Sequence, residues 1–333
     1  MSKILTFITN FSLIKRTILN NNYKTSSSFL QKFMSTNDNK KTASNMTNLS
    51  NVFHQFEKMD NVPDEIFKGY KDRYNGITIN SKDYNNGDID FAKKLQDSLK
   101  YWSENCFRTI WFNIETEKSD WVPHLVKNGF DYHHAKQGYV LMFKWLPSEP
   151  DNLPKYAHTM LGVGGLVINK NNEVLVVREK HAIVANFWKL PGGYVEPGEN
   201  LVDAVIREVK EETQIETKFL SVVSLRHAHG AAFDCSDIYT VIALEPISDN
   251  IIPAKCNREI AEVKWISAED FLNNDRINKG NRLHLQVYLE NKAKGIVFDC
   301  EDQIHQTLKK EYKVYYVKHV NESNNKIIEN KKD

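Results

Sequence analysis

Cysteine is scarce in this sequence of 333 residues, with four widely spaced thiols and no CxxC pair. This spacing excludes a zinc ribbon and offers no disulfide framework, so a reducing compartment is expected. No apolar run reaches the roughly 18–20 residues that a membrane-spanning helix needs. An excess of one charge is also absent, because 44 basic residues stand against 43 acidic ones. A nucleic-acid binder that depends on bulk positive charge is therefore not expected.

Acidic residues are missing from residues 1–37, where apolar clusters lie between five Lys or Arg residues. An acid-poor, Ser-containing, amphipathic start is typical of a mitochondrial presequence. The alternative is a disordered tail, and initiation at Met34 or Met46 would give a cytoplasmic form. Residues 38–52 are rich in Asn, Thr, Ser and Lys, so we expect a disordered linker there.

Two folded regions are expected on either side of a proline-rich boundary. The first spans residues 53–147, where strand and helix patterns alternate, as in a small α/β domain. The second spans residues 155–300, where the pattern indicates a mixed sheet with helices on its faces. Residues 301–333 are expected to form a partly disordered C-terminal extension.

Short patterns inside these regions predict local geometry. Asn169–Asn172 separates two apolar strand segments and is typical of a hairpin turn. His133 and His134 are adjacent, so we expect their side chains to point to opposite faces of a strand and to be poor joint metal ligands. Asn200 is expected to cap a helix, with Asp203 as the acid of a capping box.

The stretch Gly193–Ile215 carries the strongest chemical pattern. Glu208, Glu211 and Glu212 stand at i, i+3 and i+4, so their carboxylates share one face of the predicted helix. Three like charges within one turn destabilise a helix unless something compensates for them. A hard divalent cation such as Mg²⁺ does so, and Arg207 supplies a local counter-charge. The alternative is a solvated acidic helix face.

Glycines precede this helix. Gly192, Gly193 and Gly198 allow the loop to pass close to the helix and to bring Glu199 towards the carboxylates. Together these positions resemble the Nudix box, G-x5-E-x7-R-E-U-x-E-E-x-G-U, where U is aliphatic. Gln214 stands where the family has its last Gly, and we expect this change to cost about 1 kcal/mol or to shift the helix end.

The resemblance implies a hydrolase of nucleoside diphosphates linked to another moiety, built as an α/β/α sandwich with a mixed sheet and using Mg²⁺ or Mn²⁺. By position, Glu208 and Glu212 are the implied principal metal ligands. Glu211 would assist as a ligand or through bound water, Glu199 would stabilise the site, and Arg207 would orient a carboxylate.

The general base that activates the attacking water stays open between two places. Glu208 and Glu211 are candidates inside the box. Glu259 and Glu262, just before Trp265 of a predicted strand, are candidates from a later loop. Sequence alone does not choose between them.

Four segments, residues 111–146, 158–169, 188–199 and 224–241, extend the resemblance over roughly residues 70–295. They are similar to an animal Nudix protein and to the plant Nudix subfamily that hydrolyses ADP-ribose and NADH. In both, a pre-Nudix domain of acetyltransferase-like topology precedes the hydrolase. The resemblance implies substrate contacts at Gly192, Gly193, His229 and Asp237, with a structural turn as the alternative role of Asp237.

The first domain lacks the Q/R-x-x-G-x-G/A loop that an acetyl-CoA site needs. We therefore expect it to serve in packing or in a homodimer and not as an acetyltransferase. For the whole chain, the expected activity is an ADP-ribose or NADH diphosphatase that releases AMP, with a small nucleotide as partner and neither membrane nor nucleic acid. The alternatives are a CoA or capped-RNA hydrolase, or a nucleotide-sensing scaffold with weak or no turnover.

Overall fold

A computed structural model of the chain describes residues 57–85, 90–182, 184–248, 253 and 258–320. Two compact units divide the chain, Met1–Asp151 and Asn152–Asp333. The predicted presequence, residues 1–37, and the predicted linker, residues 38–52, lie outside the described residues. None of the helices in the described part combines the length and the apolar character needed to span a bilayer.

The first unit is a mixed sheet with helices packed on it. Its strands are β1 (Glu57–Lys58), β2 (Tyr70–Lys71), β3 (Ile77–Asn80), β4 (Thr109–Glu115), β5 (Asp131–Lys136) and β6 (Tyr139–Trp145). Its helices are α1 (Phe91–Glu104) and α2 (Trp121–Lys127). The strands lie in the order β1-β2-β3-β4-β6-β5, and only the β3–β4 pair of this sheet is parallel.

Helix α1 forms because its apolar residues repeat at helical spacing. Phe91, Leu95 and Trp102 are buried against the sheet, and the Asp90 side chain accepts the backbone N–H of Lys93 at 3.1 Å as an N-cap. The alternating strand and helix order makes this unit an α/β domain, as expected. Its acetyltransferase-like topology stays a prediction.

The prediction that the side chains of His133 and His134 in β5 point to opposite faces is wrong. A β-bulge between Tyr132 and His134 interrupts the alternation of the strand. The Nδ1 atoms of His133 and His134 consequently lie 2.7 Å apart, close enough for one ring to donate a hydrogen bond to the other. Strand alternation predicts opposite faces only where the pairing register is regular.

The second unit contains the remaining elements. Its strands are β7 (Thr159–Val167), β8 (Glu173–Glu179), β9 (Gly192–Tyr194), β10 (Thr217–Ala228), β11 (Ser236–Pro246), β12 (Ile260–Ser267), β13 (Ile296–Ile304) and β14 (Glu311–His319). Its helices are α3 (Leu201–Thr213), α4 (Ala268–Asn273) and α5 (Lys279–Ala293). Residues 301–319, in the expected C-terminal extension, thus include the end of β13 and all of β14, while residues 321–333 lie outside the described part.

The main sheet of this unit is mixed, with the order β14-β13-β10-β11-β7-β9 and a parallel β11–β7 pair. Strands β8 and β12 form a separate antiparallel pair. The turn at Asn169–Asn172 forms as predicted, with the Asn169 N–H donating to the Glu173 carbonyl at 3.1 Å. Beyond the Ile168–Val174 bridge, however, the two strands it connects join different sheets.

Helices cover both faces of the main sheet. Val205 and Val209 of α3 share one buried cluster with the sheet residue Ile242. Phe271 of α4 and Leu285 of α5 belong to a second buried cluster. Alternate residues of β11 enter the two clusters, as the period-two geometry of a strand requires. The unit is therefore an α/β/α sandwich, which confirms the predicted fold class.

Candidate active site

Helix α3 carries the box carboxylates because its opposite face is apolar. Val202, Val205 and Val209 are buried at spacings of three and four residues, which turns the glutamates away from most of that stripe. The predicted capping box is wrong in its contacts. Asn200 occupies the N-cap position, but its Nδ2 donates to the Asp203 carboxylate at 2.9 Å and its side chain accepts no backbone N–H.

The C-terminal end of α3 accommodates the departure from the family pattern. The helix ends at Thr213, and Gln214 adopts the left-handed conformation with φ 61° and ψ 16°. Its backbone N–H donates to the Lys210 carbonyl at 2.9 Å, and its Nε2 donates to the same carbonyl at 3.1 Å. The sequence predicts either strain at Gln214 or a shifted helix end. The structure shows the first, because Gln214 is left-handed, and the end of α3 is not shifted.

Arg207 connects the acidic residues of the box. Its Nε and one terminal nitrogen donate to the two carboxylate oxygens of Glu199, each at 2.8 Å. The other terminal nitrogen donates to Glu208 at 2.8 Å and lies 3.5 Å from Glu211. A further bond reaches the Tyr194 carbonyl of β9 at 3.1 Å. A planar guanidinium can make all these contacts at once, because its five N–H groups form a rigid fork.

These ion pairs are only partly open to solvent. The side chains of Glu199 and Glu208 are 17% and 16% exposed, and that of Glu211 is 62% exposed. The hydrogen bonds from Arg207 lower the pKa of Glu199, and in turn the bonds to Glu199 raise the pKa of Arg207 above its ordinary value. Glu199 therefore stays ionised and acts as a fixed partner of Arg207.

Glu212 lies in a different environment from the other box acids. It is 7% exposed, and one carboxylate oxygen accepts the backbone N–H of Gly192 at 2.9 Å. Burial raises its pKa to about 7, whereas the charge of Lys189 and the Gly192 hydrogen bond act in the opposite direction. A buried carboxylate beside Glu208 is electrostatically unfavourable unless a cation compensates it.

The glycine pair of β9 brings the loop against this helix. Gly192 has φ 152°, and a Cβ there would lie 2.1 Å from the Val163 carbonyl oxygen. A Cβ on Gly193 would lie 2.7 Å from the carboxyl carbon of Glu208. Glycine is therefore required at position 192 for β9 to pair with β7, and at position 193 it lets the strand touch Glu208.

The other residues expected at the site lie in β12, in β11 and in the segment just after β10. Glu262 of β12 is held by Arg178 of β8, with an N–O distance of 2.6 Å. His229 is exposed and its Nδ1 lies 2.9 Å from the Ser236 hydroxyl oxygen. Asp237 is the second residue of β11 and pairs with Arg226, so it belongs to a strand and not to a turn.

Sequence reasoning missed the neighbours of Asp237 and of Glu212. Arg226 lies over the ring of Tyr239, 5.1 Å from its centroid, and Tyr239 is the partner of Arg226 in the β10–β11 register. Burial raises the pKa of Tyr239, and the charge of Glu212 acts in the same direction. The missed neighbour of Glu212 is Lys189, whose charge acts to lower the pKa of Glu212. Arg226 is one of several polar residues along a predicted strand, and this pattern is the signal that could have indicated Arg226 as a residue of the site.

The donor set fits a hard divalent cation by its chemistry. Glu208 and Glu212 offer carboxylate oxygens, which Mg²⁺ and Mn²⁺ prefer. Glu212 is buried, and among the described residues no basic side chain pairs with it at hydrogen-bond distance. Within the described ranges, no group of three or more His, Cys, Asp or Glu side chains is close enough together to hold a metal ion. The fit of the site to a metal ion therefore rests on the chemistry of its carboxylate donors and not on a preformed cluster of three. In this structure Arg207 donates a hydrogen bond to Glu208, one of those donors.

Two family models match the chain. One, described as Nudix hydrolase domain, matches residues 67–146, and one described as NUDIX domain matches residues 158–287. From Arabidopsis thaliana, Nudix hydrolase 8 is 37% identical over 67% of this chain and 60% of its own length. Nudix hydrolase 5 is 37% identical over 66% of this chain and 73% of its own length. The chain belongs to the Nudix hydrolase family.

Relatives outside plants are also similar. The mouse protein Nucleoside diphosphate-linked moiety X motif 6 is 34% identical over 61% of this chain and 66% of its own length. Among solved structures, the MutT protein from Methanosarcina mazei Go1 is 26% identical over 41% of this chain and 97% of its own, with a TM-score of 0.35. The predicted resemblance to animal and plant Nudix proteins is confirmed. The family is that of the Nudix hydrolases, and the fold of the second unit is the α/β/α sandwich described above.

Proposed function

We propose that this protein is a metal-dependent diphosphatase of ADP-ribose, NADH or both, releasing AMP. The observation that carries the proposal is the arrangement of Glu199, Glu208 and Glu211 around Arg207, beside the buried Glu212. The choice of ADP-ribose or NADH is supported by the resemblance to the plant subfamily described above. Nearly balanced charge gives no support to an RNA substrate.

In this proposal each box residue has a separate role. Glu208 and Glu212 hold Mg²⁺ or Mn²⁺, and Glu211, the most exposed of the three, assists directly or through water. When bound, the metal neutralises the pyrophosphate, polarises phosphorus and helps to lower the pKa of the attacking water. Arg207 orients Glu208, and Glu199 fixes Arg207.

The remaining expected residues surround this centre in the proposal. Gly192 and Gly193 leave room for the substrate beside α3, and His229 and Asp237 contact it from the end of β10 and the start of β11. Glu262 stays a candidate for the general base, together with Glu208 and Glu211. Its carboxylate lies 2.6 Å from Arg178 of β8.

A nucleotide-binding protein with weak turnover is the second candidate. The contacts of Arg207 with Glu208 and Glu211 favour it, because they engage carboxylates that a metal would otherwise use. Gln214 gives this second candidate no support, because α3 still ends at Thr213 and Gln214 takes the left-handed position after it.

A substrate panel distinguishes the two functions. The full chain is incubated with Mg²⁺ or Mn²⁺ and ADP-ribose, NADH, CoA or capped RNA, and the products are separated by chromatography. We expect AMP with ribose 5-phosphate from ADP-ribose, and AMP with reduced nicotinamide mononucleotide from NADH, both abolished by a chelator. Binding of these nucleotides without any turnover would instead establish the second candidate, and turnover of CoA or capped RNA alone would reject the proposed substrates.

Replacing Gly193 with Ala should lower kcat about tenfold while the protein stays folded. The new Cβ would lie 2.7 Å from the Glu208 carboxyl carbon, and the flexible end of that side chain can move away. Circular dichroism and turnover of ADP-ribose measure the two effects. Gly280→Ala is the control, because Gly280 lies in the first turn of α5 without a positive φ, and a Cβ there would meet only the Asn278 side-chain oxygen, at 3.2 Å. Equal activity of both variants and the wild type would show that the close approach to Glu208 is unimportant.

A further inference from the structure

The outer edge of β14 lies at one side of the main sheet. The strand pairs with β13 over nine consecutive residues, from Glu311 to His319. Among the described residues, no strand pairs with its other side, where β14 ends the sheet. Peptide groups along such an edge are free to bond to another strand.

This edge lacks the usual features that prevent strands from pairing between molecules. Natural edge strands carry proline, bulges or free lysines. Residues 311–319 contain no proline, and the β13–β14 register runs without a shift. The two lysines are engaged within the hairpin, Lys313 with Asp302 at 2.6 Å and Lys318 with Asp299.

Exposed apolar side chains accompany the edge. Tyr312 is 42% exposed, Tyr316 37% and Val317 61%. Aromatic and β-branched residues stabilise strand pairs when they stand opposite each other. The edge therefore offers both backbone groups and side chains to a partner strand.

The sequence of β14 is complementary to itself in antiparallel pairing. With a twofold axis at Tyr315, Glu311 stands opposite His319, Tyr312 opposite Lys318, and Val314 opposite Tyr316. No two like charges are opposed in this register. An axis at Tyr316 would instead place Lys313 opposite His319.

We propose that β14 pairs with β14 of a second copy of this chain, antiparallel about Tyr315, and joins the two main sheets into one. The acid at one end of the strand, Glu311, then meets the histidine at the other, His319, twice in each dimer. This homodimer uses the second unit, in contrast to the dimer expected from the sequence through the first unit. It is independent of the proposed hydrolase function.

Sedimentation velocity of the full chain over about a hundredfold range of concentration tests the assembly. We expect a dimer whose dissociation constant rises about tenfold or more in Val317→Lys, because the new lysine would face Lys313 of the other copy at two places. Val126→Lys is the matched control, since Val126 is an exposed residue of α2 in the first unit. A wild type that stays monomeric, or a dimer weakened by Val126→Lys and not by Val317→Lys, would overturn the proposal.

Cysteine cross-linking tests the register. The double variant Lys313→Cys with Val317→Cys places each new thiol opposite a new thiol of the other copy, so a short thiol cross-linker should give covalent dimers. Each single variant places its two copies of the new thiol about 13 Å apart, and we expect no cross-link above the wild-type level. A double variant that does not cross-link, or single variants that cross-link equally well, would contradict the axis at Tyr315.

Discussion

Replacing Glu212 with Gln is expected to lower kcat/KM for ADP-ribose by about a thousandfold or more, since metal stabilisation of a phosphoryl transition state is worth several kcal/mol. The amide has the shape of the carboxylate and can still accept the Gly192 N–H, now 2.9 Å away. It lacks the charge that a divalent cation requires. The loss should therefore be chemical and not structural, which product analysis together with a thermal unfolding curve can establish.

Glu216→Gln is the matched control for this substitution. Glu216 is an exposed acid just beyond α3, and its partner Lys210 lies 2.8 Å away. A surface pair of this kind contributes little, so activity should stay within about twofold of the wild type. Retained activity in Glu212→Gln, with the fold intact, would refute the ligand role of Glu212.

Replacing Arg207 with Ala is expected to lower kcat/KM about a hundredfold, and Arg207→Lys should restore little of it. Arg207 joins Glu199, Glu208 and the Tyr194 carbonyl, at distances of 2.8 to 3.1 Å. Without it, Glu208 and Glu211 repel each other on one helix face. A lysine offers one charged nitrogen and cannot bond to both oxygens of Glu199 while holding Glu208.

Arg108→Ala is the comparison variant, because Arg108 also pairs with a carboxylate, Glu149 at 2.9 Å, but in the first unit. Steady-state kinetics should show its activity unchanged. Full activity of Arg207→Lys would mean that any positive charge suffices and that the fork geometry is irrelevant. A loss confined to KM would assign Arg207 to substrate binding instead of to the orientation of Glu208.

The elements that could be predicted from sequence are those with a strong local pattern. Helix α1 and strand β6 follow directly from the spacing of their apolar residues. The hairpin of β13 and β14 was not expected, because charged and polar residues fill its exposed end and dilute the alternation. The contact between His133 and His134 depends on a bulge, which sequence patterns do not reveal.

The same division holds for the candidate site. The box residues lie within one short segment, so their helical spacing alone brings Glu208, Glu211 and Arg207 together. The contact of Glu212 with the Gly192 N–H, by contrast, involves a backbone group, which has no sequence signature. Arg226 and Asp237 meet only because β10 and β11 pair across a connection.

The contacts of Arg207 also determine when the repulsion among the box acids is overcome. They form between side chains that are mostly shielded from solvent, so they exist as soon as α3 packs beside β9. The repulsion is thus opposed once, during folding, and does not have to be opposed again in each catalytic cycle. A substrate that arrives meets carboxylates already in position, and little reorganisation of the protein remains before the chemical step.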